Sequence, residues 1–264
     1  MQKCIVVGEE TKFGPIPIKG DLNDTLPYVS KLGYKYIELN LRSPFTLSMQ
    51  ELKNLLSDND LKVAALSSGY PYFHENVSFT SKDSIQRKKA IHRINEYINL
   101  ASLLETQVII GSIRGTAVEE GDYEVFIDSL QQCLWHAEKM GVVLALEPIN
   151  RYEMNLVNTV DDGLKIIHLL NSDNLKLILD TFHMNIEEKS IYDAISTAGD
   201  AISHFHVADS NRKPMGCGHL DFTRILEVLT STGYNGALSA ELLPLSDQEE
   251  TVKLISAFFE GEGF

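Results

Sequence analysis

The sequence predicts an α/β fold, a single closed (β/α)8 barrel (TIM barrel) that spans residues 1–264 as one domain. Short apolar runs alternate with longer amphipathic segments along the whole chain. Most runs are continuously apolar, which is typical of parallel strands covered on both faces. Eight such runs share 264 residues. Units of about 33 residues leave no segment for a second domain, and this repeat favours a closed barrel.

The predicted strands recur from the N-terminus to the end of the chain. They are residues 3–8, 36–40, 62–67, 107–111, 142–147, 176–180, 201–207 and 236–241. The alternative is an open doubly wound sheet, which a Gly-rich phosphate-binding loop after the first strand would favour. Glu9, Glu10 and Thr11 follow that strand instead, so we retain the closed barrel.

The segments between the strands carry helical signals. In Asp122–Met140, the apolar residues Phe126, Leu130 and Leu134 share one stripe, and Gly141 follows as a helix-terminating residue. Thr159 precedes a run that begins with two acidic residues, which suits the positive first turn of a helix. These signals predict a helix after each strand.

Composition and charge exclude several classes of function. The chain is 44% hydrophobic and 23% charged, as expected for a globular protein rather than a disordered one. Its net charge of −14 disfavours nucleic acid as a partner. We find neither a run of the roughly 18–20 apolar residues that a membrane helix needs nor a signal peptide. Three widely spaced cysteines indicate reduced thiols. We therefore expect a cytoplasmic protein without a membrane partner.

Four consecutive late strands each end in a residue that apolar packing does not explain. These residues are Glu147, Asp180, His206 and Glu241. In a barrel, the strand ends meet at one rim, where functional groups lie. Three acids at one rim repel each other, and a divalent cation relieves that repulsion. Because the set is rich in oxygen, it favours Mn²⁺, with Mg²⁺ or Co²⁺ also suitable, over zinc.

Three motifs in the C-terminal half resemble those of ketose 3-epimerases, the D-tagatose/D-psicose 3-epimerase group of the xylose isomerase-like barrels. The motifs are EPINRYE (147–153), LDTFHMNIEE (179–188) and HFHVADSNR (204–212). The resemblance implies one divalent metal ion held by the four rim residues, with Glu147 and Glu241 also acting as the catalytic acid–base pair. It places Glu153, His183 and Arg212 around the substrate.

The expected function is therefore a metal-dependent isomerase or epimerase acting on a small-molecule sugar. The preferred reaction is epimerisation at C3 of a ketose, or of a ketose derivative, through a cis-enediolate. Aldose–ketose isomerisation, hydroxypyruvate isomerisation and dehydration of a keto-inositol or dehydroshikimate start from the same chemistry and stay open. A homo-oligomer, either a dimer or a tetramer, also stays open.

Two other classes are disfavoured. An endonuclease IV-like enzyme shares the barrel but needs several further histidines on the early strands, where only His74 is found nearby. The charge of −14 also opposes DNA. A non-catalytic sugar-binding protein would not need paired acids at a metal.

Arg114 follows the fourth predicted strand, where the resembling enzymes carry apolar or aromatic residues. We expect it to bind a phosphate or carboxylate on the substrate, with an ion pair to Glu147 or Glu119 as the alternative. Glu38, on the second strand, is a weaker candidate that supports a metal ligand by hydrogen bonding. The loops 13–18 and 69–73 are expected to supply an apolar wall near the rim.

Overall fold

Parallel strands close into a barrel in the computed structural model, which describes residues 1–11 and 14–264. The strands are β1 (Gln2–Gly8), β2 (Ile18–Lys19), β3 (Tyr36–Asn40), β4 (Lys62–Ser67), β5 (Val108–Ile110), β6 (Leu144–Leu146), β7 (Leu175–Asp180), β8 (Ile202–Val207) and β9 (Ala237–Ala240). Apart from β2, each strand pairs with the next along the chain, and β9 pairs with β1 to close the ring. The predicted closed (β/α)8 barrel is confirmed.

The two-residue strand β2 is the one strand in the described part of the chain that the sequence did not predict. It pairs with the end of β1 through Val7 and Gly8, outside the closed ring of eight. Ends of the predicted strands shift by at most two residues, because backbone pairing stops before some of the apolar runs do.

Helices follow the strands and cover the outside of the barrel. They are α1 (Leu22–Lys31), α2 (Met49–Asp58), α3 (Ser84–Leu104), α4 (Asp122–Met140), α5 (Val160–Leu170), α6 (Thr181–Glu187), α7 (Ile191–Ala198), α8 (Phe222–Ser231) and α9 (Gln248–Gly261). The predicted bounds of α4 are those observed, and Gly141 ends it at a left-handed φ of 67°. Thr159 caps α5 together with Asp162 in a reciprocal capping box.

The core has an outer and an inner part. The large outer cluster fills the space between the strands and the helices. Inside the ring, Ala65, Ile109, Ala145 and Ile178 form a small apolar layer. Because side chains alternate along a strand, the residue two positions after each of these also faces the barrel interior, one layer nearer the rim. That second layer begins the functional site.

The helices of the described ranges, 1–11 and 14–264, include none that is long and apolar enough to cross a membrane.

Candidate active site

The predicted metal ligands converge at the carboxyl ends of β6 to β9. Glu147, Asp180, His206 and Glu241 are buried, and each offers a ligand atom within 4.8 Å of the others. His206 Nδ1 lies 3.4 Å from Glu241 Oε2, 3.7 Å from Glu147 Oε1 and 3.8 Å from Asp180 Oδ2. The strand order along the sequence therefore delivers three carboxylates and one imidazole to one point.

This donor set fits a divalent cation. Asp180 Oδ2 and His206 Nδ1 are buried and, within the described residues, have no hydrogen-bond partner. A buried polar atom without a partner is costly, and a cation between these atoms would satisfy both. Three oxygens and one nitrogen form a set that suits Mn²⁺ or Mg²⁺.

Burial and crowding shift the pKa values of this cluster. Burial, reinforced by Glu241 and Glu147, raises the pKa of Asp180 to about 7 despite Arg212. Burial also raises the pKa of Glu147, with Glu241 adding to the effect. The pKa of Glu241 is lowered, since His206 and Arg212 outweigh the opposing effect of its burial. Removing the acids from water therefore carries an electrostatic cost that a bound cation would offset.

A second group of polar residues borders the cluster. Asn150 donates from Nδ2 to His183 Nδ1 at 2.8 Å and to Glu153 Oε1 at 2.9 Å. Burial, followed by the charge of Arg212, lowers the pKa of His183 well below its usual value, so the ring is neutral. Because Asn150 Nδ2 can only donate, Nδ1 accepts and the proton of the neutral ring is assigned to Nε2, although Arg212 Nη1 also lies 3.3 Å from that atom. His183 Nε2 is 3.8 Å from Glu147 Oε1, which places this donor at the metal cluster.

Arg212 connects the two groups. Its Nη2 donates to Glu241 Oε2 at 2.7 Å, and its Nη1 donates to Glu153 Oε1 at 3.2 Å. The guanidinium stacks on the Phe182 ring at 4.6 Å. Arg212 has a left-handed φ of 58°, and backbone hydrogen bonds from its amide to Asp209 and from Leu243 to its carbonyl hold it there. The predicted Glu153, His183 and Arg212 therefore lie together beside the cluster.

A cavity of about 420 Å³ opens above these residues. Glu147, Glu241, Glu153, His183 and Arg212 line one side of it. The opposite side is formed by small or neutral residues of the early strands and by the two predicted wall loops, including Asn40, Ser67, Gly111, Ile16, Tyr70 and Phe73. Phe13, also expected in that wall, lies outside the described residues. A cavity of this size accommodates a small ligand.

The interpretation of Arg114 needs correction. Its side chain is fully buried, and its guanidinium donates to the backbone carbonyls of Ile110, Gly111, Glu147, Leu156 and Val157. These bonds engage all three guanidinium nitrogens, and Arg114 does not line the cavity described above, so its side chain is not placed to bind a substrate anion. Neither predicted ion pair occurs in the described chain, and Glu119 pairs with Lys82 instead. Arg114 therefore connects the end of β6 to the loop that contains Leu156 and Val157 through hydrogen bonds.

Two residues near the site were not predicted from sequence. Asn150 orients His183 and Glu153, and its signal was its place in the EPINRYE motif. Val157 has a φ of 57°, which is unusual for a β-branched residue. Its carbonyl accepts from Arg114 and from the Ile149 amide, and these bonds offset the strain. No local pattern in the sequence indicates that conformation.

Comparison with known proteins agrees with this geometry. A family model described as xylose isomerase-like TIM barrel matches residues 26–258. The chain is 33% identical over 225 residues to a D-psicose 3-epimerase of Ruminiclostridium cellulolyticum, covering 81% of this chain and 75% of that one. It is 33% identical over 229 residues to an L-ribulose 3-epimerase of Mesorhizobium japonicum, covering 84% and 76%. A solved L-ribulose 3-epimerase structure superposes with a TM-score of 0.84 at 28% identity, covering 98% of this chain and 93% of that one.

Proposed function

Because the chain belongs to the xylose isomerase-like TIM barrel family, we propose that it is a metal-dependent epimerase that inverts C3 of a ketose. The relatives are named epimerases, and this protein is likewise an isomerase-class enzyme acting on sugars. The proposed substrate is a free ketose or a ketose derivative, since Arg114 offers no site for an anion.

The observation that carries the proposal is the placement of the two glutamates. Glu147 and Glu241 both line the cavity, whereas Asp180 and His206 lie beneath them. Glu147 follows β6 and Glu241 follows β9, so the carboxylates approach the cavity from different strands. Inversion of a carbon requires proton transfer on both of its faces, and two carboxylates on either side of a substrate supply it.

The chemical step moves one proton away from C3 and returns another. The carboxylate of one glutamate takes the proton from C3, and the electron pair left behind shifts towards O2 to give an enediolate. The other glutamate, as a carboxylic acid, delivers a proton to the opposite face of C3, and the C2 carbonyl re-forms. A divalent cation held by Glu147, Asp180, His206 and Glu241 supplies positive charge for the substrate oxygens.

The neighbouring polar group would orient the sugar. Neutral His183 presents its Nε2 proton at the cluster, where it can donate to O2 as negative charge develops. Arg212 and Glu153 form a charged pair at the edge of the cavity that can bind sugar hydroxyls. For the metal, we propose Mn²⁺, since the oxygen-rich set suits it, with Mg²⁺ and Co²⁺ as the other candidates.

The test is proton exchange in D₂O. The protein is stripped with a chelator, reconstituted with Mn²⁺, and incubated with a panel of ketopentoses and ketohexoses. We expect deuterium at C3 together with the C3-epimer of the sugar. The metal-free protein, stripped with the chelator, should give neither. Deuterium at C1 or C2 would instead identify an aldose–ketose isomerase, and loss of water would identify a dehydratase. Repeating the assay with Mg²⁺ and Co²⁺ ranks the metals.

A further inference from the structure

A buried carboxylate reaches His206 from across the barrel. Glu38, on β3, has no exposed surface, and its Oε2 lies 2.8 Å from His206 Nε2 and 2.9 Å from His204 Nε2. The proposed reaction assigns Glu38 no part in proton transfer or substrate binding. We propose that Glu38 is a positioning residue that holds the His206 ring with Nδ1 towards the metal, an inference that rests on the proposed metal site.

The hydrogen bonds determine which ring nitrogen faces the cluster. A carboxylate oxygen accepts hydrogen bonds, so both Nε2 atoms must act as donors to Glu38 Oε2. His206 Nδ1 is then the ring nitrogen left for the cluster, 3.4 Å from Glu241 Oε2. A metal-bound histidine commonly donates its other nitrogen to a carboxylate in this way, which fixes both the tautomer and the ring orientation.

His204 supports this arrangement from below. It precedes His206 by two residues on β8, so both rings point into the barrel, 5.4 Å apart and nearly perpendicular. Both donate to the same oxygen of Glu38, which fixes the position of the carboxylate along the barrel axis. Reaching across the barrel from β3, Glu38 joins strands that are not neighbours in the sheet. A shift of the carboxylate would therefore turn the His206 ring.

The same three residues could instead be considered a second cation site, because their ligand atoms also lie within 4.8 Å of one another. The distances of 2.8 and 2.9 Å are hydrogen-bond lengths. A second ion would require His206 to bind metals through both of its nitrogens. We therefore infer one ion per chain, with Glu38 outside its coordination sphere.

The first measurement is titration of the chelated, full-length protein with Mn²⁺ alone by calorimetry. We expect one Mn²⁺ per wild-type chain. Glu38→Leu, which removes the acceptor, should raise the Kd by roughly 10–100-fold. Glu38→Gln keeps an acceptor oxygen and should raise it less. Ile178→Val, which removes one methyl group from the apolar layer inside the ring and takes away no hydrogen-bonding group, is the matched control and should leave the Kd unchanged.

The second measurement needs neither a variant nor a sugar. Long-range ¹H–¹⁵N NMR on histidine-labelled wild-type protein loaded with Mg²⁺ reports which nitrogen carries the proton. We expect His206 to carry its proton on Nε2 in this sample. A proton on Nδ1 of the Mg²⁺-loaded protein, two Mn²⁺ ions per chain, or wild-type Kd values in both Glu38 variants would overturn the inference. If these results hold but no sugar is epimerised, the proposed reaction fails and the positioning role stands.

Discussion

The two halves of the barrel rim are both formed by the carboxyl ends of parallel strands, but their side chains differ in charge. We call them the charged half and the neutral half. Strands β6 to β9 lead inward to charged or metal-binding side chains, namely Glu147, Asp180, His206 and Glu241. Strands β1, β3 and β4 end at the small or neutral residues Gly8, Asn40 and Ser67, and Gly111 follows β5. The cavity borders residues of both halves.

Two glycines of the neutral half leave room for the side chains that lie next to them. A Cβ on Gly111 would lie 2.8 Å from Glu147 Oε2, and one on Gly8 would lie 3.0 Å from Ile16 Cδ1. A larger residue at position 111 would displace Glu147, and one at position 8 would displace Ile16, which lines the cavity. Under the proposed reaction, C2 and C3 of the sugar lie over the charged half, and the rest of the sugar lies over the neutral half.

The largest expected effect comes from removing a charge in the catalytic pair. Glu147→Gln or Glu241→Gln should each lower the rate of C3 deuterium exchange by roughly 10³-fold, because an amide cannot transfer the proton. Both residues are also proposed metal ligands, so the metal content of each variant must be measured and exchange assayed at saturating Mn²⁺. Glu153→Gln, in the same cavity, is the control and should retain measurable exchange. Unchanged exchange in either catalytic variant would contradict the proposal.

The contrast between the halves also explains what the sequence could and could not predict. The charged half could be predicted because four polar residues that apolar packing does not explain occur at the ends of four consecutive strands. In a closed barrel, the ends of consecutive strands lie side by side. Arg114 was misinterpreted because sequence gives the residue type but not the direction of its side chain. A helical turn at Ser112–Arg114 directs the guanidinium inwards, where its partners Leu156 and Val157 lie about forty residues away in the chain.

The next largest effect concerns Arg114, which donates hydrogen bonds to the backbone of both halves, at Gly111 and at Glu147. Arg114→Met should lower the free energy of unfolding by about 4 kcal/mol, because several buried carbonyls lose their donor at about 1–3 kcal/mol each. Arg114→Lys should lie between this variant and the wild type. Urea denaturation measures both. Arg87→Met is the matched control. Arg87 donates to one backbone carbonyl, that of Ser81, so the expected loss in the free energy of unfolding is about 1 kcal/mol. Wild-type stability in Arg114→Met would refute this structural role.

A change of pH tests the charged half without mutation. In the metal-free protein, burial raises the pKa of Asp180 from 3.8 to about 7, and the pKa values of Glu147 and His206 are also raised. A raised carboxyl pKa gives stability that is present below about pH 4 and lost as the pH rises through about 7. The lowered pKa values of His183 and His204 act in the opposite direction over the same window. The contribution of Asp180 is therefore measured against Asp180→Asn, which cannot ionise: the metal-free Tm of the wild type should fall, relative to that of this variant, by roughly 5 °C between pH 5.5 and pH 8.

Calorimetric scans with a chelator measure this fall. The lowered pKa of Glu241 acts below about pH 4.5, outside this window. With saturating Mn²⁺ the fall should be smaller, since the cation offsets the repulsion. A metal-free wild-type Tm that does not fall relative to that of Asp180→Asn over this range would show that burial does not raise the pKa of Asp180.

The smallest expected effect lies in the neutral half. Asn40 lines the cavity, and its Oδ1 is buried without a hydrogen-bond partner in residues 1–11 and 14–264. A sugar hydroxyl donating to it would contribute about 1 kcal/mol. Asn40→Ala should therefore raise KM about five- to tenfold, with kcat and Mn²⁺ affinity unchanged, because the lost contact is remote from the proton transfer. Ser68→Ala is the control, since that hydroxyl already donates to the Ile109 carbonyl and should not affect KM. A fall in kcat with unchanged KM would instead place Asn40 at the reacting carbon, and the division between the two halves would then be wrong.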